Sequence, residues 1–117
     1  MKKININEQF SELKKLWSPQ VIASLNDYEV RIAIVQGDYH WHQHLHSDEL
    51  FLVVEGELRI DFRDRSVLLK KGELLVVPKA TEHKPFADKP CRILLIESCD
   101  TIPTGDVDEK NIHENSK

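Results

Sequence analysis

Four of the six histidines of this 117-residue chain stand at His40, His42, His44 and His46. In extended chain the side chains alternate between two faces, so all four imidazoles of such a run point the same way. Imidazoles at i and i+2 stand about 6–7 Å apart at the backbone, and their rings can converge on one ion between them. Glu49 follows three residues after His46 with the opposite parity. A turn or bulge must intervene for its carboxylate to reach the same face, and Ser47-Asp48 are good turn formers. A row of inward imidazoles is costly to bury unless each finds a partner. Metal ligation supplies one, because neutral imidazoles offer lone pairs and a carboxylate adds a harder, charged donor. His113, in the polar C-terminal stretch, reads as exposed.

Parity alone leaves open which two histidines would hold an ion. Tyr39, His40, His46 and Glu82 flank the other candidates and are available to line a pocket. The two cysteines, Cys91 and Cys99, are eight apart on or near one expected strand. In extended chain that is roughly 26 Å, too far for a disulfide. Cys91 therefore reads as a small core residue and the setting as reducing and cytoplasmic. With no thiolate in the cluster, a closed structural zinc site is not what the pattern describes.

The elements that must position these residues are mostly short strands. One helix is expected near the N-terminus: Asn7 as its cap, Glu8 in its first turn, Phe10, Leu13 and Trp17 at helical spacing, and Ser18-Pro19 as its stop. From position 21 the pattern changes to strands over 21–24, 29–36, 49–54, 57–63, 67–70, 73–77 and 92–97. Turn residues separate them at Asn26-Asp27, Gly37-Asp38, Glu55-Gly56, Asp64-Arg65, Lys71-Gly72, Pro78 and 88–90. This predicts an all-β, antiparallel barrel rather than βαβ units. The expected organisation is an N-terminal segment and helix over 1–20, a barrel domain over 21–100 and a flexible acidic tail over 101–117, with the chain from Gly105 onward loose and solvated. Stretches 50–54 and 93–96 are apolar on both faces, so the outer face needs cover from a second sheet, the helix or another subunit. A homodimer is the expectation.

A net charge of −4 argues against a nucleic-acid binder, which needs clustered Lys and Arg. Met1-Lys2-Lys3 leads into mixed polar sequence, which predicts neither a leader peptide nor a membrane span. A single helix before the barrel offers no helix-turn-helix pair.

The stretch GDYHWHQHLHSDELFLVVEG, residues 37–56, resembles the first motif of the cupin family: a glycine, HxH, a short gap, a glutamate and a later glycine. His42, His44, Glu49 and Gly56 fit it. The segment GELLVVPKATEH, residues 72–83, resembles the second motif through Gly72, Pro78 and His83. Ala80 stands where the family normally has glycine and Ala87 where it often has asparagine. The resemblance spans residues 30–98 and implies a jelly-roll-like β-barrel with a metal ion inside, bound by His42, His44, Glu49 and His83. It also selects His42 and His44 from the four alternating histidines. That pair leaves more room for a turn before Glu49 than His44 and His46 would, and His40 and His46 are left to line the pocket or its mouth.

Three histidines and one carboxylate leave open positions on an octahedral ion, where water, dioxygen or a chelating substrate can bind. Mn, Fe, Ni, Co, Cu and Zn all suit such donors. Two functions follow. One is a small metalloenzyme acting on an oxygen-bearing small molecule, of oxygenase or isomerase/cyclase type. The other is a non-catalytic, metal-dependent binding module for a sugar or organic acid.

Overall fold

The computed structural model describes residues 1–106, and the elements run in the order α1 Ile6–Ser11, β1 Gln20–Leu25, β2 Tyr28–Asp38, β3 Glu49–Glu55, β4 Glu57–Phe62, β5 Ser66–Lys70, β6 Leu74–Val77 and β7 His83–Ser98. All pairings between these strands are antiparallel. The strand order is β1-β2-β7-β3-β6, and β4 pairs with β5 and with the first part of β7. β7 is the element that closes the fold. Its start lies against β4 and the end of β2, and its second half runs between β2 and β3. The result is the jelly-roll-like barrel expected from the alternating pattern.

One parity of each strand faces inward. Ala33 and Val35 of β2, Phe51 and Val53 of β3, Leu58 and Ile60 of β4, and Ile93 and Leu95 of β7 form one buried cluster. Burying such a set is the main driving force for closing the barrel, at about 25 cal/mol per Å² of apolar surface. The opposite parity is apolar too, and Leu50, Leu52, Leu94 and Ile96 are only half-buried. α1 covers one part of this outer face, with Phe10 buried and the Arg92 guanidinium 5.4 Å from its ring centroid.

The helix is shorter than its periodicity suggests. Asn5, not Asn7, is the cap, its side chain accepting from the Glu8 N–H at 3.1 Å, and the helix ends at Ser11. Trp17 lies outside it with φ at 58°. Two hydrogen bonds to β2 hold it there, from its backbone N–H to the Ile34 carbonyl and from its indole N–H to the Gln36 carbonyl. Tertiary bonding to a strand edge has overridden the helical spacing of Leu13 and Trp17.

The break expected at 88–90 is also absorbed. β7 runs on through it, with the register shifting between Val35↔Cys91 and Gly37↔Ala87. One residue of β2 opposes three of β7 there, so Asp88, Lys89 and Pro90 sit in a bulge and are exposed. Cys91 is buried and Cys99 exposed, and both are free thiols. No helix among the described residues is long and apolar enough to cross a membrane.

Candidate metal centre

The histidine run does not form a regular strand. Between β2 and β3 the chain is a loop whose one bridge pairs His42 with His83, through His42 N–H to the His83 carbonyl at 3.0 Å and the reverse bond at 2.9 Å. Further bonds lace the loop to its neighbours: Tyr39 N–H donates to the Pro85 carbonyl at 3.0 Å and Ala80 N–H to the His44 carbonyl at 2.7 Å. The Asp48 carboxylate accepts from Lys79 N–H at 2.9 Å. The chain bends at Leu45-His46 rather than at Ser47-Asp48.

The backbone here is irregular, and the four histidines differ in burial, although the His40 ring still packs edge-on to His42 with centroids 5.4 Å apart. His42 and His44 turn inward and are buried, whereas His40 and His46 are exposed. His40 stacks on Tyr39 with ring centroids 4.2 Å apart and bonds through Nε2 to the Thr104 carbonyl at 2.9 Å. His46 borders a small cleft with Ser47, Asp100 and Asp106. His83 opens β7 and is 1% exposed.

His42, His44, Glu49 and His83 come together, one potential donor atom from each lying within 4.8 Å of the others. His44 Nε2 and His83 Nε2 each stand 3.2 Å from Glu49 Oε1. Donors in cis positions around an ion with ~2.1 Å bonds are about 3 Å apart, so the spacing suits a small divalent ion. The tautomers suit it as well. His42 Nδ1 lies 3.0 Å from the His40 carbonyl and His83 Nδ1 lies 2.8 Å from the Thr81 carbonyl. A carbonyl only accepts, so each Nδ1 carries its proton and each neutral ring presents a bare Nε2. At His83 that lone pair faces a carboxylate oxygen, which is repulsive until a cation or proton stands between them. Neither ring nitrogen of buried His44 has a hydrogen-bond partner. The residues fit a metal ion.

The electrostatics agree. Burial, then the neighbouring His83, pushes His42 down to about 4, which keeps the ring neutral at physiological pH. Burial alone would raise Glu49, but contacts with His44, His83 and Glu97 outweigh it and hold the carboxyl below its usual range. Glu97, by contrast, is raised by burial and by Glu49 beside it.

A strap closes over the outer side of the loop. The Asp106 carboxylate accepts from Leu45 N–H at 2.7 Å, and Asp106 N–H donates to the Gln43 carbonyl at 2.8 Å. Gly105 is buried with φ at 93°, and a Cβ there would lie 2.7 Å from His42 Cβ. Residues 101–106 are therefore not the start of a solvated tail, as their composition suggests, because backbone hydrogen bonds rather than apolar side chains dock them. The rest of the expected tail, 107–117, lies outside the described residues.

The Cupin domain profile matches residues 30–97, a stretch that contains all four converging residues. The chain belongs to the cupin family. Among relatives of this cupin, the uncharacterized protein YdbB of Bacillus subtilis (strain 168) is 45% identical over 75 residues, 63% of this chain and 66% of YdbB. The chain thus spans just under two thirds of that curated relative. A cupin-2 domain protein from Shewanella frigidimarina is 47% identical at a TM-score of 0.80, over 81% of this chain and 93% of that one. Protein NMB1881 from Neisseria meningitidis is 34% identical at a TM-score of 0.77, over 83% and 99%. Hydroquinone 1,2-dioxygenase PnpCD, solved with Cd2+ and 4-hydroxybenzonitrile, is 22% identical at a TM-score of 0.69, over 87% and 74%, and shares the fold alone.

Ala80, at the cupin motif's glycine position, adopts φ at 59°. That left-handed conformation costs a non-glycine residue about 1–2 kcal/mol and explains the family's glycine. Two buried charged residues of the cupin interior escaped the sequence reading. Arg31 is 6% exposed and Glu97 1%. Their signal was parity: Arg31 is in step with Ala33 and Val35, and Glu97 with Ile93 and Leu95, charges at positions that face inward.

Proposed function

We propose that this cupin holds one divalent transition metal ion through His42, His44, Glu49 and His83, and that a small oxygen-bearing molecule binds at the ion's free positions and is transformed there. The observation that carries the reading is the convergence of one donor atom from each of the four residues within 4.8 Å, with His44 Nε2 and His83 Nε2 each 3.2 Å from one Glu49 oxygen. An ion of this kind supplies Lewis-acid chemistry or handles dioxygen.

The chain's own residues fix what can approach. Ala33, Val35, Phe51, Ile93 and Leu95 wall the cavity beside Glu49 and His42, and Tyr39 stands in its lining. Apolar walls exclude water and favour a ligand with an apolar body over a sugar, which needs polar partners for each hydroxyl. The space open to a water-sized sphere is about 40 Å³, so the ligand is small unless the walls move. This disfavours the sugar as ligand and suits an oxygenase or isomerase/cyclase substrate or, for the alternative binding module, an organic acid with an apolar body. That a solved structure with the same fold is a hydroquinone 1,2-dioxygenase is in keeping with such chemistry.

Elemental analysis of protein purified without chelator should give about one transition metal ion per chain, and a His42→Ala/His44→Ala variant should carry almost none. Full occupancy in the double variant would overturn the assignment.

A further inference from the structure

Beside the candidate metal centre lies a second polar group that the four ligand candidates do not include. Glu97 enters the barrel interior from β7, and across the sheet it pairs with Glu29 of β2. On its other side Ile96 pairs with Leu50 of β3, so Glu49 is the next inward neighbour. Three carboxylates thus lie in a row across adjacent strands, served by one guanidinium. Arg31 donates from Nη1 to Glu97 Oε1 at 2.8 Å and from Nη2 to Glu29 Oε1 at 2.7 Å. Nη1 also reaches the Thr101 carbonyl at 3.2 Å, which ties the strap to the same cation.

Arg31 and Glu97 are both more than nine-tenths buried. Glu97 Oε2 has no hydrogen-bond partner, and Glu49 is its inward neighbour on β3, the two lining the same cavity. Burying a guanidinium is seldom a net gain in stability even with a carboxyl partner, since desolvation cancels most of the attraction. An apolar pair would fill this interior at no such cost. What the pair does provide is a fixed point against the back of Glu49, anchored by a forked guanidinium whose second arm is held by Glu29. Ligating carboxylates are commonly oriented by such outer partners, whose loss costs about 10–100-fold in metal affinity.

We propose that Arg31 and Glu97 form a buried strut that fixes the orientation of Glu49, and so sets how firmly and in what geometry the centre holds its ion. Glu97 is a positioning residue in this account and is not itself a ligand. The proposal rests on the metal-centre reading given above. It assigns the two inward charges to one task, and it makes Glu29 the counterweight that keeps Arg31 from swinging away.

Co(II) is a suitable probe because its ligand-field spectrum reports the donor geometry directly. Chelated, metal-free wild type, Glu97→Gln, Glu97→Leu and Arg31→Lys would be titrated with Co(II), with spectrum and Kd recorded and the melting temperature of each metal-free protein measured in parallel. Glutamine keeps an acceptor for Arg31 and offers an N–H to Glu49, so Glu97→Gln should stay within about threefold of wild type with its spectrum intact. Glu97→Leu should bind about 10–100-fold more weakly with shifted bands. Arg31→Lys, which keeps the charge but loses the fork, should also shift the bands, and it carries the test if the leucine variant does not fold. Lower melting temperatures with unchanged Co(II) spectrum and Kd would mean the pair is structural only and would overturn the strut. Wild type that takes up no Co(II) would instead overturn the metal centre, and the strut with it.

Discussion

At the scale of single residues, the centre depends on imidazoles kept neutral with Nε2 free. His42 shows how: its Nδ1 proton goes to the His40 carbonyl, and burial disfavours a second proton. The consequence for stability has a definite sign. Folded His42 titrates at about 4 against 6.5 for an ordinary histidine, so between those pH values the unfolded chain binds more protons than the folded one. Stability from this residue is complete above pH 6.5, is lost as pH falls toward 4, and changes no further below that. The loss is on the order of 2–3 kcal/mol. In metal-free protein, the stability advantage of wild type over His42→Gln should therefore shrink by about that much between pH 7 and pH 4 in denaturant titrations. A pH-independent difference would contradict the environment described for this ring. The motif spacing was enough to pick out His42, His44, Glu49 and His83 as residues that converge. Arg31 and Glu97 were not legible, because a single charged residue within an apolar strand reads equally well as a surface position until the neighbouring strands fix which parity faces inward.

At the scale of elements, most strands were legible, but the first half of β7, from His83, and the loops were not. Strand positions follow from apolar runs and turn residues, which act locally. The path of the loop between β2 and β3, by contrast, depends on backbone bonds to residues about forty positions away, such as His42 to His83. Alternation therefore treated four histidines alike where the structure buries His42 and His44 and leaves His40 and His46 exposed. The strap over 101–106 was missed for a related reason: it docks through main-chain groups and the Asp106 carboxylate, which carry no apolar signature. Gly105 is its most sensitive point. Gly105→Ala places a Cβ at 2.7 Å from His42 Cβ in a left-handed backbone, which forces the strap or the histidine to move. The substitution should cost about 1–3 kcal/mol of stability and weaken metal binding roughly tenfold. Chelator competition and thermal melts on the variant check both, and a Kd equal to that of wild type would mean the strap does not support the centre.

At the scale of the whole molecule, the outer face of the sheet is unfinished. Leu50, Leu52, Leu94 and Ile96 are half-buried, and Leu74 and Val76 on edge strand β6 are 56% and 46% exposed. Among the described residues β6 pairs only with β3, and a continuous apolar face beside such an edge favours association. We infer a homodimer through it: sedimentation at micromolar concentration should give twice 13.6 kDa, and Leu74→Lys/Val76→Lys should shift the mass to one chain. A wild-type monomer would refute this. The barrel itself gives the interior two separate supports, an apolar cluster that closes it and a polar end that holds the four converging donors. The claim on which everything else rests is that these donors share an ion. Diffraction from crystals of untreated protein, recorded across the absorption edge of the metal found by elemental analysis, tests it most directly. One anomalous peak per chain is expected, about 2.0–2.3 Å from the Nε2 atoms of His42, His44 and His83 and from a Glu49 oxygen. A peak held by His40 or His46 instead, or none at all between these four residues, would contradict it.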